Sequence, residues 1–160
     1  MQMADMADSN ASGPTSDPHD LSRFVRAQDE DYEQVLSEVR SGRKRSHWMW
    51  YIFPQVAGLG FSSMSRRYAI KSRAEVDAHL HHPVLGPRLV ECADAALCVE
   101  DRSALDVFGS PDDQKLKSCA TLFASVSPDG SVFHQLIDTY FQGTPDSRTL
   151  QLLDSPPASQ

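Results

Sequence analysis

The chain has 160 residues, 40% of them hydrophobic and 23% charged, which is the composition of one globular domain with enough apolar material for its own core. Its net charge of −7 argues against a general nucleic-acid binder. No apolar run approaches the roughly 20 residues of a membrane span, so a membrane partner is not expected.

Residues 1–18 are rich in Asp, Ser, Ala and Pro, lack the basic and apolar regions of a secretory signal, and read as a disordered leader. Pro18 and Asp20 open the ordered part, with Asp20 as the cap of a helix carrying Leu21, Phe24 and Val25 on one face. A second helical run carries Tyr32, Val35, Leu36 and Val39 and stops at Gly42. The segment WMWYIF that follows has high β-propensity. It reads equally as a short strand at residues 48–53 or as a buried helical turn. Pro54 limits it, Gly58 and Gly60 make a turn, and Ser62 or Ser63 caps a short helix through Tyr68.

Ser72-Arg-Ala-Glu75 is a capping-box pattern for a helix that stops at Pro83. Pro87 falls in the first turn of the next helix, which carries Leu89, Val90, Ala93, Leu97 and Cys98. Leu105, Val107 and Phe108 lead to Gly109. Ser110-Pro-Asp-Asp113 then combines an N-cap, a Pro at the first helical position and early acidic residues. Pro128-Asp-Gly130 is a turn before a helix with Val132, Phe133, Leu136, Ile137 and Tyr140 on one stripe. Thr144-Pro145 opens a last short helix, and residues 155–160 form a frayed tail. The sum is a mainly α fold, a single compact multi-helix domain over residues 19–154 with at most one short β element.

Three cysteines, Cys92, Cys98 and Cys119, without CxxC spacing argue against a disulfide framework and a structural zinc site. Free thiols in a reducing, cytoplasmic setting are the expectation. His79, His81 and His82 lack matching carboxylate or thiolate ligands and read as exposed helix-end histidines, so neither a metal nor a cofactor is assigned.

From Arg40 to Arg73 the chain has eight Lys or Arg and no Asp or Glu, against seven basic and 22 acidic residues elsewhere. Such asymmetry focuses positive potential on one region and draws an anion there. Within it, Arg43 and Lys44 suit phosphate, Trp48 and Trp50 offer flat faces, and Gln55 suits an amide or base edge. His47 titrates near neutral pH and is a candidate acid–base group. At the later helix start, Asp112 is a candidate general base or stabiliser of a developing cation, and Lys115 an anion holder. The Gly58-Leu-Gly60 turn would close the site, although it is too short to be a nucleotide fingerprint.

HWMWYIFPQVAGLG resembles the signature of a family catalogued as domain of unknown function 1810. The likeness begins at Phe24, Ala27, Gln28 and Tyr32. It continues through Gly42, Lys44, His47, Trp48, Trp50, Phe53-Pro-Gln55, Gly58-Leu-Gly60 and Ser62. It resumes at Tyr68, Ile70, Ser72 and Glu75, then at His82-Pro83 and Leu85-Gly86, and ends with Phe108, Gly109, Asp112, Lys115, Leu116 and Thr121-Leu-Phe123. Gln28 joins the candidate ligand-binding residues on this likeness. The resemblance implies a mostly helical fold and supplies no activity. A looser similarity in size, helical character and scattered Trp, Lys, Gln and Asp is to the NADAR group, proposed to process ADP-ribose and related N-glycosides.

Two functions fit these residues. One is an enzyme that binds an anionic, nucleotide-like or ADP-ribose-like ligand and hydrolyses an N-glycosidic bond. The other is a non-catalytic module whose basic–aromatic face docks a protein or an anion. RNA contact is disfavoured by the net charge.

Overall fold

The computed structural model describes residues 17–154, so the leader and tail expected at the two ends lie outside the described residues except for Asp17 and Pro18. Nine helices make up the described chain. They are α1 (Ser22–Arg40), α2 (Met49–Ile52), α3 (Ser63–Arg67), α4 (Arg73–His81), α5 (Leu85–Leu97), α6 (Ala104–Phe108), α7 (Asp112–Ala124), α8 (Val132–Phe141) and α9 (Ser147–Asp154).

The two helical runs expected before Gly42 are one helix. Its buried stripe runs through Phe24, Gln28, Val35, Leu36 and Val39. Gln28 is the polar position that broke the apolar pattern. It is buried because its Nε2 donates to the Tyr51 carbonyl at 2.8 Å, tying α1 to α2. The cap position of α1 is Leu21 rather than Asp20, and the Asp17 carboxylate accepts the Leu21 and Ser22 amides at 2.8 and 3.1 Å.

WMWYIF resolves as a helical turn, α2, with Met49, Tyr51 and Ile52 buried. The β element considered at 48–53 does not form. The β pairing among the described residues is an isolated parallel bridge between Val56 and Ile70. Ser62 caps α3, and Ser72 caps α4 by accepting the Glu75 amide at 3.1 Å. Glu75 does not reach back to complete the box. Its carboxylate takes the Lys71 amide at 3.0 Å and the buried Arg23 guanidinium at 2.9 Å. Arg23 also donates to the carbonyls of Arg67 and Ala69 at 2.7 and 2.8 Å, so one buried side chain joins α1, α3 and α4.

Leu105 to Phe108 is a helix in its own right, α6, started by a complete capping box of Ser103 and Asp106. At α7 the cap position is Pro111, one residue later than the Ser110 expected from sequence. Asp146 starts α9, accepting the Thr149 amide at 2.9 Å.

Helix α5 packs on α1, α4 and α8, and α7 packs on α4, α6, α8 and α9. His79 lies within this core, fully buried rather than exposed. Its ring meets Phe24 edge-on at 4.8 Å between centroids and lies 5.3 Å from Phe123. His82 accepts the Val84 and Leu85 amides on Nδ1 and so shapes the start of α5. No helix among the described residues is long and apolar enough to cross a membrane.

Candidate functional site

The basic segment after α1 is organised by a buried carboxylate. Glu38 Oε1 accepts the Arg45 amide at 2.8 Å, the Ser46 amide at 3.1 Å and the Trp48 indole Nε1 at 2.8 Å. Its Oε2 accepts the Ser46 hydroxyl at 2.5 Å and Gln34 Nε2 at 3.0 Å. Burial works against its charge, but these donors outweigh burial and hold its pKa at about 2. Trp48 is thereby fixed in the core beside Phe53 and Phe108 and is 1% exposed.

Lys44 turns inward from the same loop. Its Nζ is 2.8 Å from Asp112 Oδ2, donates to the Ser46 carbonyl and lies 5.0 Å from the Trp48 ring centroid. Lys115, one turn along α7, places its Nζ 3.1 Å from Asp112 Oδ1 and 4.2 Å from the Trp50 ring centroid. Each tryptophan thus carries a lysine on its face, and both lysines meet at one carboxylate. The three charged side chains are 7, 17 and 18% exposed for Lys44, Asp112 and Lys115. Burial opposes the Asp112 charge, but the two ammonium groups outweigh it and lower its pKa.

Beyond Lys115 lies a cavity of about 310 Å³, with Trp50, Gln55, Tyr68, Lys115, Ser118 and Asp146 in its wall. Gly58 and Gly60 form its lip. Gly58 has φ of +103°, and a Cβ on Gly60 would lie 2.5 Å from Ser65 Oγ, so the lip needs both glycines. The Trp50 indole Nε1 is buried and has no hydrogen-bond partner among the described residues.

Of the residues singled out from sequence, Trp50, Gln55, Gly58, Gly60 and Lys115 line this cavity. Lys44 and Asp112 stand behind Lys115 as its ion partners and are not in the cavity wall. Arg43 and His47 are exposed, and neither lines the cavity. Gln28 and Trp48 are structural, bonded to Tyr51 and Glu38, so an exposed Trp pair for docking a protein is not present. Trp50 is covered on one face by Lys115.

Sequence reading missed Glu38, Tyr68, Ser118 and Asp146. Asp146 carried a usable signal, because Thr-Pro-Asp-Ser is a helix-start pattern whose Asp is the capping residue. Tyr68 stood in the family likeness without being given a site role, and a Ser within a helix, such as Ser118, is ordinary in many contexts.

Residues 18–153 match the family model described as "Protein of unknown function (DUF1810)". The chain belongs to the DUF1810 family. Among solved structures, this DUF1810 chain is similar to the conserved hypothetical protein Rv1873 from Mycobacterium tuberculosis. The two share 48% identity with a TM-score of 0.84 over 86% of this chain and 99% of that one. No match is found among curated proteins. Among the described residues, no group of three His, Cys, Asp or Glu side chains is placed to hold a metal ion. Cys92 and Cys119 are buried free thiols, and Cys98 is an exposed one.

Proposed function

We propose that this chain binds an anionic, nucleotide-like small molecule in the cavity beside Lys115 and Trp50. The observation that carries the reading is a charge imbalance. Two largely buried ammonium groups, Lys44 and Lys115, share the single carboxylate of Asp112. An uncompensated charge away from water is unfavourable, and an anion in the cavity at Lys115 relieves it. The Gln55 amide in the same wall is a polar selector. The volume falls at the lower end of small-molecule sites, which run from roughly 300 to 1,000 Å³.

A narrower reading, favoured by the carboxylate of Asp146 in the cavity wall, is hydrolysis of an N-glycosidic bond in that ligand. The C–N bond at the anomeric carbon breaks, the oxygen of water bonds to that carbon, and a proton of water goes to the departing base. A carboxylate near the sugar offsets the positive charge that develops on it. Asp112, already shared by two lysines, and the exposed His47 take no part in this version. Localisation in the cytoplasm accords with the free thiols.

The test is thermal unfolding with AMP, ADP-ribose and NAD, followed by chromatography for released base. A ligand at 100 times its Kd should add about 2.7 kcal/mol of stability. If none of the three moves the melting temperature, the binding reading fails. A shift without released base removes the hydrolytic version alone.

A further inference from the structure

Asp146 is held in one orientation. Its Oδ2 accepts the Thr149 amide at 2.9 Å, the Thr149 hydroxyl at 2.6 Å and the Ser118 hydroxyl at 3.5 Å. Its own amide donates to Thr121 Oγ1 at 2.8 Å. The other oxygen, Oδ1, makes no hydrogen bond among the described residues and is not sealed from solvent. The cavity therefore presents a fixed acceptor at Asp146 and the ammonium of Lys115 as its charged donor. A bare anion satisfies the ammonium and is repelled by the acceptor. A ligand that satisfies both ends carries negative oxygens at one end and donors at the other. The Gln55 and Gln114 amides in the same wall each both donate and accept, which matches hydroxyl groups, themselves donor and acceptor at once.

Resting on the anion-binding reading above, we infer that Asp146 is a specificity-determining residue that takes the hydroxyl groups of a sugar phosphate. The ligand class is a phosphorylated pentose-type polyol, free or as the phosphoribosyl part of a nucleotide. Its phosphate lies toward Lys115, and its hydroxyls donate to Asp146 Oδ1.

The experiment is calorimetric titration of the full chain with inorganic phosphate, ribose 5-phosphate and phosphoethanolamine, repeated on Asp146→Asn. Asn caps helices as well as Asp does, so α9 keeps its start. Asp146→Ser, a second good cap, serves as the parallel variant. In the wild type, ribose 5-phosphate should bind about tenfold tighter than inorganic phosphate, the yield of a hydrogen bond to a charged acceptor. Both variants should lose that preference and bind inorganic phosphate as well as the wild type or better. Equal binding of the two ligands by the wild type overturns the inference and leaves anion binding standing, as does tighter binding of phosphoethanolamine. Equal weakening of both ligands by both variants also overturns it. Failure of all three probes to bind the wild type overturns the anion reading itself.

Discussion

Lys44 and Lys115 come from a loop and a helix 71 residues apart and meet at one carboxylate, with Nζ atoms 2.8 and 3.1 Å from the two oxygens of Asp112. Replacing Asp112 by Asn leaves two ammonium groups facing each other with no counter-charge. The expected loss is about 2–3 kcal/mol, below the 3–5 of a fully buried pair because water reaches part of the site. Urea unfolding measures it. Phosphate at tens of millimolar should recover more stability in the variant than in the wild type, since the variant has more charge to offset. Recovery equal in both proteins would separate the lysines from the anion site.

Glu38 holds the loop on which Lys44 sits. Gln in its place keeps one carbonyl acceptor but sets an amide against donors that now lack a partner. Five hydrogen bonds converge there, from Gln34, Arg45, Trp48 and twice from Ser46. Glu38→Gln should cost about 2–4 kcal/mol. The near-ultraviolet circular dichroism of Trp48 should weaken at the same time, because its indole loses its anchor.

His79 makes the fold sensitive to acid. Burial, followed by the charges of His82 and Arg23, lowers its pKa from 6.5 to about 3. The folded state keeps the ring neutral, while the unfolded chain protonates below about 6.5. Stability is therefore greatest above that pH and falls as pH drops toward the folded value, by up to about 1.4 kcal/mol per pH unit. Glu38 adds its own loss only below its unfolded value of 4.5. Between pH 6.5 and 4.5 the slope belongs largely to His79. His79→Phe, which keeps a flat ring between Phe24 and Phe123, should flatten that window in urea titrations taken at successive pH values. An unchanged slope would assign the acid sensitivity elsewhere.

The helical fold was legible because caps and apolar spacing agree at Ser62 and Ser72, each of which starts a helix as its sequence suggests. The errors share a cause. Gln28 broke a stripe that continues because a distant carbonyl, that of Tyr51, accepts its amide. His79 read as a surface residue because polarity suggests exposure, whereas its aromatic neighbours come from α1 and α7. WMWYIF left a strand and a helical turn open, and it is the helical turn, packed on α1, that forms. In the site, charge asymmetry located Lys44, and a helix start located Asp112 and Lys115. Their meeting depends on α7 passing the loop after α1, which spacing along the chain does not encode. Asp146 was hidden in the same way, as a cap whose second oxygen gains meaning only beside a cavity.

The close approach of α4 and α5 rests on Gly86. A Cβ there would lie 2.1 Å from the Leu80 carbonyl oxygen, which is backbone and has nowhere to go. Gly86→Ala should cost about 3 kcal/mol or more, at the upper end of overpacking effects. Gly130→Ala is the control. Its φ is +83° with nothing within 4 Å of the added carbon, so the loss should be only about 1 kcal/mol of backbone strain. Equal losses in the two variants would mean that the helix contact is looser than described.

The cavity proposed to bind an anion can be watched directly, because the chain has only two tryptophans and therefore two indole N–H signals in a nitrogen–proton NMR spectrum. The Trp48 signal belongs to a group bonded to Glu38, and the Trp50 signal to a residue in the cavity wall. Titration with ribose 5-phosphate and with ADP-ribose should move the Trp50 signal in a saturable way and leave that of Trp48 nearly still. Lys115→Met should abolish the movement. A Trp50 signal that stays fixed at millimolar concentrations of both ligands, or that moves as much without Lys115, would contradict an anion site at this cavity.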